Sequence, residues 1–234
     1  MNWEKNSLLF FARRGGKMSY LHAIHKEFLE HVKERQEDMW KPFMREEKVP
    51  SSKLFELIYR NLLEADKRRT FMVNYSVTKQ FKCETLEKVK EKSTKFTYFT
   101  PAVYWHHKNR TKEQLIWLPC IVLEFDLTKD GTDRVYTANE LAGILLNEFE
   151  VTPNFVWDTK TKGHFAVAFL IKPLTGTKQS IYLYESIVKR MAILTGADFA
   201  STDCVHLFRI PKRKKIYQYS EEIYDIEDFS HVLQ

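Results

Sequence analysis

The stretch Leu118-Pro119-Cys120-Ile121-Val122-Leu123-Glu124-Phe125-Asp126-Leu127 decides how the rest of the chain is read. It is apolar at odd and even positions alike, which predicts a strand covered on both faces and therefore central in its sheet. Two acids interrupt it. At a spacing of i, i+2 on a strand, Glu124 and Asp126 share one face, while Leu123, Phe125 and Leu127 share the other. Neighbouring anions in an apolar strand repel each other and lose hydration, a penalty of several kcal/mol unless a cation or a bound proton offsets it. Hard oxygen ligands suit Mg²⁺ or Mn²⁺, so a divalent ion would answer both problems. The simpler alternative is an exposed strand end at which each acid pairs with a Lys or Arg.

Working outward, Thr137-Ala-Asn-Glu140 has the form of a capping box and opens a helix on Leu141, Ile144, Leu145 and Phe149. Two strands follow, over residues 154–158 and 164–171, around the turn Lys160-Thr-Lys-Gly-His164. His164 opens its strand with the small residues Ala166 and Ala168 on its own face, which predicts room above the sheet. A His and a Lys at a strand start can grip a triphosphate, the one by hydrogen bond and the other by charge; a hairpin with solvated lysines is the plainer reading. Residues 177–195 predict a helix with Ile181, Tyr184, Val188 and Met191 inward and Gly196 as its stop. Beyond it lie Asp198 and Asp203, then Arg209 in a strand over 205–210, then Lys212-Arg-Lys-Lys215 leading into a strand over 214–219. Cations interleaved with Tyr217 and Tyr219 offer charge to phosphates and rings to bases, unless the run is only a solvated face.

Upstream, residues 70–77 alternate as a half-buried strand, and 96–104 predict another. Leu21, Ile24, Phe28, Val32 and Met39 form one helical stripe; Pro42 and Pro50 interrupt it, and Ser51 and Ser52 cap a second helix through Leu54, Leu57, Ile58 and Leu62. The charged run 64–69 reads as a seam. The chain therefore divides into a helical N-terminal segment, 1–66, and an α/β (α+β) domain of catalytic size, 67–234. Its 234 residues carry 44% hydrophobic and 14% aromatic content with seven Gly and seven Pro, which excludes a disordered or collagen-like chain. The formal charge of +6 permits polyanion binding. No apolar run reaches the ~18–20 residues of a membrane span, and the start lacks the form of a secretory signal, so no membrane partner is expected. Three dispersed cysteines, an odd count, fit reduced thiols in a cytoplasm. His106, His107 and Cys120 lack paired zinc spacing, so no structural zinc is expected.

Glu124-Phe-Asp126, Lys162-Gly-His164, and Asp198 with Arg209 eleven residues on, taken in that order, resemble the archaeo-eukaryotic primase (AEP, or prim-pol) superfamily. Within it the likeness is to primase domains of replication proteins from plasmids and other mobile elements. That family carries an acidic pair on a strand, a Ser-x-His on a later strand and a single Asp before a strand bearing Arg. Thr97-Tyr-Phe-Thr-Pro101 and Asn109-Arg110 resemble the lead-in, and the likeness covers residues 70–219. Two positions depart from the pattern: Glu124 stands where the family has Asp, and Lys162 where it has Ser. Asp203, six residues before Arg209, competes with Asp198 for the third acid.

The resemblance implies an RRM-like sheet and a DNA-dependent primase/polymerase, a nucleotidyltransferase making primers with two divalent ions. Glu124, Asp126 and Asp198 (Asp203 in reserve) would be the catalytic metal ligands. Lys162, His164 and Arg209 would bind the NTP or dNTP substrate, and Arg110, Lys212 and Arg213 the single-stranded DNA template. No GxxxxGK[ST] occurs, so any helicase partner would be a separate chain. The departures keep open a replication-initiator module that binds nucleic acid without polymerising, and a template-independent nucleotidyltransferase.

Overall fold

The computed structural model describes residues 47–74, 80–106, 109–126, 137–159, 163–211 and 216–234. The helical stripe over 20–40, Lys162, Lys212, Arg213 and His107 lie outside the described residues. In chain order the elements are β1 (Glu47–Val49), α1 (Ser51–Tyr59), β2 (Arg68–Val73), β3 (Gln80–Cys83), α2 (Leu86–Ser93), β4 (Tyr98–Phe99), β5 (Val103–Trp105), β6 (Leu115–Asp126), α3 (Ala138–Phe149), β7 (Phe155–Asp158), β8 (His164–Thr175), α4 (Lys178–Thr195), β9 (Phe208–Arg209) and β10 (Ile216–Gln218). Short 3₁₀ helices cover Lys112–Gln114, Phe199–Thr202 and Ile226–Leu233. Among the described residues no helix is long and apolar enough to cross a membrane.

The strands form one large sheet in the order β1-β10-β7-β8-β6-β5-β2-β4-β9, with β3 on β2, and every strand pair is antiparallel. The class is α/β (α+β), as the sequence predicts. β6 is central and apolar on both faces because each face meets its own core. Ile121, Leu123 and Phe125 pack with α3, α4 and the C-terminal 3₁₀ helix. Cys120 and Val122 pack with α1, Val89 of α2, Phe99 and Phe208.

One local irregularity decides which face receives the acids. Leu118 pairs with Leu174, whereas Cys120 pairs with Leu170, so the register slips at Pro119 opposite Pro173. Proline donates no ladder hydrogen bond, and a bulge is where a sheet tolerates it. The slip puts Leu118 and Cys120 in different cores although both numbers are even. From Cys120 onward the alternation carries Val122, Glu124 and Asp126 together on the α1 side.

The sheet must also curl. Ile216 on β10 comes only seven positions after Arg209 on β9, a reach of about 25 Å. Seven strand spacings separate these strands in the sheet order, about 34 Å if flat. The chain closes because β6 pairs with β5 only through Leu115 and Trp117; beyond that point β2, β4 and β9 swing over the α1 face.

Several expectations change. The boundary at residue 66 divides elements that pack together: β1 pairs with β10, and the α1 residues Leu54, Phe55, Ile58 and Tyr59 are fully buried in the second core. The Tyr59 hydroxyl donates to the Thr100 carbonyl at 2.6 Å. The charged run at 64–69 is partly structural, since Glu64 pairs with Lys67 and Arg68, and Arg68 opens β2. Pro101 splits the strand expected over 96–104 into β4 and β5. The strand expected over 205–210 shrinks to Phe208–Arg209.

Gly176, between β8 and α4, donates to the Ile116 carbonyl at 2.8 Å, and a Cβ there would lie 2.0 Å from the Leu115 carbonyl oxygen. Backbone cannot yield as a side chain can. Gly176→Ala should lower the urea midpoint by the equivalent of about 2 kcal/mol or more with unchanged m, whereas an ordinary surface Gly→Ala changes stability by less than about 1 kcal/mol.

Candidate active site

The last residues of β6 lack a strand neighbour on one side, so their carbonyls must find other donors. The Tyr184 hydroxyl of α4 donates to the Cys120 carbonyl at 3.0 Å, and the Asp198 backbone N–H donates to the Glu124 carbonyl at 2.7 Å. The second bond assembles the site. Gly196 ends α4 at φ 70, a left-handed value that favours glycine, and turns the chain toward the open edge of β6. Asp198 then caps the next 3₁₀ helix, its Oδ1 accepting the Ala200 N–H at 3.0 Å.

Two carboxylates from distant stretches thus meet. Burial, and next the Asp198 charge, push the Glu124 carboxyl up to about 7; the Arg209 guanidinium and backbone N–H oppose this without cancelling it. The anionic form is therefore short of positive charge. Asp126, two residues on, faces His164 across the antiparallel pair, and His164 Nε2 lies 3.0 Å from Asp126 Oδ1. Hard oxygen donors with unmet charge are a chemical fit for Mg²⁺ or Mn²⁺. Glu124, Asp126 and Asp198 are not drawn into one tight knot, however. Among the described residues the group whose ligand atoms all lie within 4.8 Å of one another is Glu185, Asp203 and Cys204.

That group already holds a cation. Lys112 Nζ contacts Glu185 and lies 3.6 Å from Asp203 Oδ1, while Glu185 accepts the Cys204 N–H at 3.2 Å and Asp203 the Val205 N–H at 2.9 Å. Of the two acids left open by the sequence, Asp198 stands beside Glu124 and Asp203 belongs to this lysine-centred strap.

Arg209 is held on several sides. It is the cross-strand partner of Tyr98, its Nη2 donates to the Tyr98 hydroxyl at 3.0 Å, and its guanidinium carbon lies 5.1 Å from that ring's centroid. The Trp157 indole N–H donates to the Arg209 carbonyl at 3.3 Å. Trp157 neighbours Ala166 on the sheet, and both are fully buried. The room expected above Ala166 and Ala168 is therefore filled.

Arg110 is half-buried and donates to the Val205 carbonyl, so its head is engaged with the strap rather than spread over an open floor. Tyr217 and Tyr219 pack against the first core, with Lys48 Nζ 6.0 Å from the Tyr217 ring. Of the zinc-type side chains, His106 contacts Glu84 at 2.8 Å, and burial pushes the Cys120 thiol up to about 12. His206 was not anticipated. Burial lowers its pKa while Asp198 and Asp203 oppose, and its ring packs edge-on to Phe208. The alternation His206-Leu-Phe208 was its one signal in the sequence.

No protein-family model matches the chain, and no curated protein sequence matches it. Among solved structures it is similar to the AEP domain of a cyanophage S-2L primase-polymerase, with a TM-score of 0.54 at 14% identity, covering 79% of this chain and 97% of that one. Primase RepB′ aligns with a TM-score of 0.46 at 13% identity, over 79% of this chain and 62% of that one.

The Glu124 geometry has a measurable consequence. Its folded pKa, about 7, lies above the ordinary 4.5, so its contribution is fully present below pH 4.5 and is lost as pH rises through 7. With chelator present, the stability of the protein relative to Glu124→Gln should fall across that window, by up to about 3 kcal/mol. A difference independent of pH in paired urea titrations would refute the assigned environment.

Proposed function

Because the chain has the fold of an archaeo-eukaryotic primase core, we propose that it is a divalent-metal-dependent nucleotidyltransferase that makes primers on single-stranded DNA in the replication of a plasmid or other mobile element. The observation that carries this reading is the meeting of Glu124 and Asp198 on the covered face of β6, where anions outnumber cations. Glu124, Asp126 and Asp198 would hold Mg²⁺ or Mn²⁺. Bound there, the ions would lower the pKa of the attacking 3′-hydroxyl and offset charge building on the departing pyrophosphate.

The chain's own residues supply position and field. Fixing Asp198 through its backbone N–H, rather than through its carboxylate, leaves an oxygen of that carboxylate beyond the Ala200 bond. His164 orients Asp126, because contact with one Asp126 oxygen limits how that carboxylate can turn. Arg209 would contact the triphosphate of an NTP or dNTP, and Lys162, Lys212 and Arg213 would add charge to nucleotide and template. Asp203 is assigned to the Lys112 strap instead of the metal site.

One observation favours a second reading. His164, expected to grip the triphosphate, is engaged with Asp126, which suits a nucleic-acid-binding initiator module with weak or no polymerisation.

Purified protein given single-stranded template, NTPs or dNTPs and Mn²⁺ should make short products. Asp126→Ala and Asp198→Asn should each lower the rate by about 100-fold or more, while Asp203→Asn should stay within about 3-fold. Template binding without product under either metal would select the module, and product indifferent to template sequence would select template-independent transfer. Without nucleotide at pH 8, Mn²⁺ should raise the melting temperature of the parent more than that of Glu124→Gln. Equal increments would remove Glu124 from the metal site.

A further inference from the structure

Arg209 is bound in an unusual way for an arginine beside carboxylates. A guanidinium usually finds a carboxylate fork, which fixes it and also neutralises it. Here Nη2 donates to the Tyr98 hydroxyl, a neutral group 3.0 Å away. A neutral acceptor fixes direction while leaving the positive charge available. The geometry is reinforced around it: Tyr98 and Arg209 are cross-strand partners, and the guanidinium carbon lies 5.1 Å from the ring centroid. The main chain is pinned separately, by the Trp157 N–H on the Arg209 carbonyl at 3.3 Å and by the Ile210 N–H on the Thr97 carbonyl at 2.9 Å. Such pinning is needed, because β4 and β9 are two residues long and cannot hold a register by themselves.

We propose that Tyr98 is a positioning residue for nucleotide phosphates: it holds the Arg209 guanidinium across the β4–β9 pair, beside Glu124, without quenching its charge. This rests on the reading of Arg209 as a triphosphate contact. Tyr98 acts through Arg209 alone, so its loss should register in triphosphate affinity and leave turnover in place.

The test is a double-mutant cycle on the full chain with Tyr98→Phe, Arg209→Gln and the combined variant. Tyr98→Phe keeps the ring and its packing, and a melting temperature matching the parent confirms the fold. Two readouts are taken: calorimetric binding of inorganic tripolyphosphate, which needs no polymerase activity, and the split between triphosphate KM and kcat in primer extension. Tyr98→Phe should weaken tripolyphosphate binding and raise KM by about 3–10-fold with kcat within 2-fold, and should add nothing once Arg209 is Gln. An unchanged affinity in Tyr98→Phe, or a loss of the same size in the Arg209→Gln background, overturns the proposal. Failure of the parent to bind tripolyphosphate better than Arg209→Gln overturns it as well, even if primers are made. A parent that makes no product defeats the primase reading instead, and the tripolyphosphate cycle then still decides the role of Tyr98.

Discussion

A carboxylate set on the covered face of a central strand has to find positive charge or keep its proton, and the arrangement at the end of β6 follows from that constraint. Glu124 meets Asp198 where burial strengthens their repulsion, and the Arg209 charge offsets it only in part. Folding places these anions together because the β6 edge leaves a carbonyl that needs a donor, and the Asp198 N–H is that donor. A backbone hydrogen bond thereby brings together a charge cluster that the side chains alone would avoid.

Three chain features converge on that edge. The prolines at 119 and 173 shift the register, which determines that the acids fall on the α1 side. The early end of the β5–β6 pairing frees the edge. Gly196 sends the chain around it, from the core of α4 to the opposite core of Phe208 and Ile210. The site sits where the chain changes faces, which explains why its residues come from β6, β8, the turn after α4 and β9.

Much of this was legible in the sequence. The two-sided apolar character of residues 118–127 marked the central strand, the Thr137 and Glu140 box is present with the Thr137 N–H donating to Glu140 Oε2 at 2.7 Å, and Gly196 does end α4. The pairing of Asp126 with His164 and the membership of α1 in the core were not legible, because register and long-range packing do not show in local periodicity. The choice between Asp198 and Asp203 had the same difficulty: it depends on Lys112, the cation that Asp203 shares with Glu185, which lies 73 residues further along the chain. Ala166 and Ala168 misled for a related reason. Small side chains signal a close neighbour as readily as a vacancy, and the neighbour was Trp157.

Trp157 has a further use. Its ring is sealed from water while its N–H rests on the main chain of β9, so its near-ultraviolet emission should report the polarity around that contact. Among the described residues it is the tryptophan hydrogen-bonded to Arg209, and a variant retaining it alone among the five tryptophans would carry an intrinsic optical reporter for any shift of that strand.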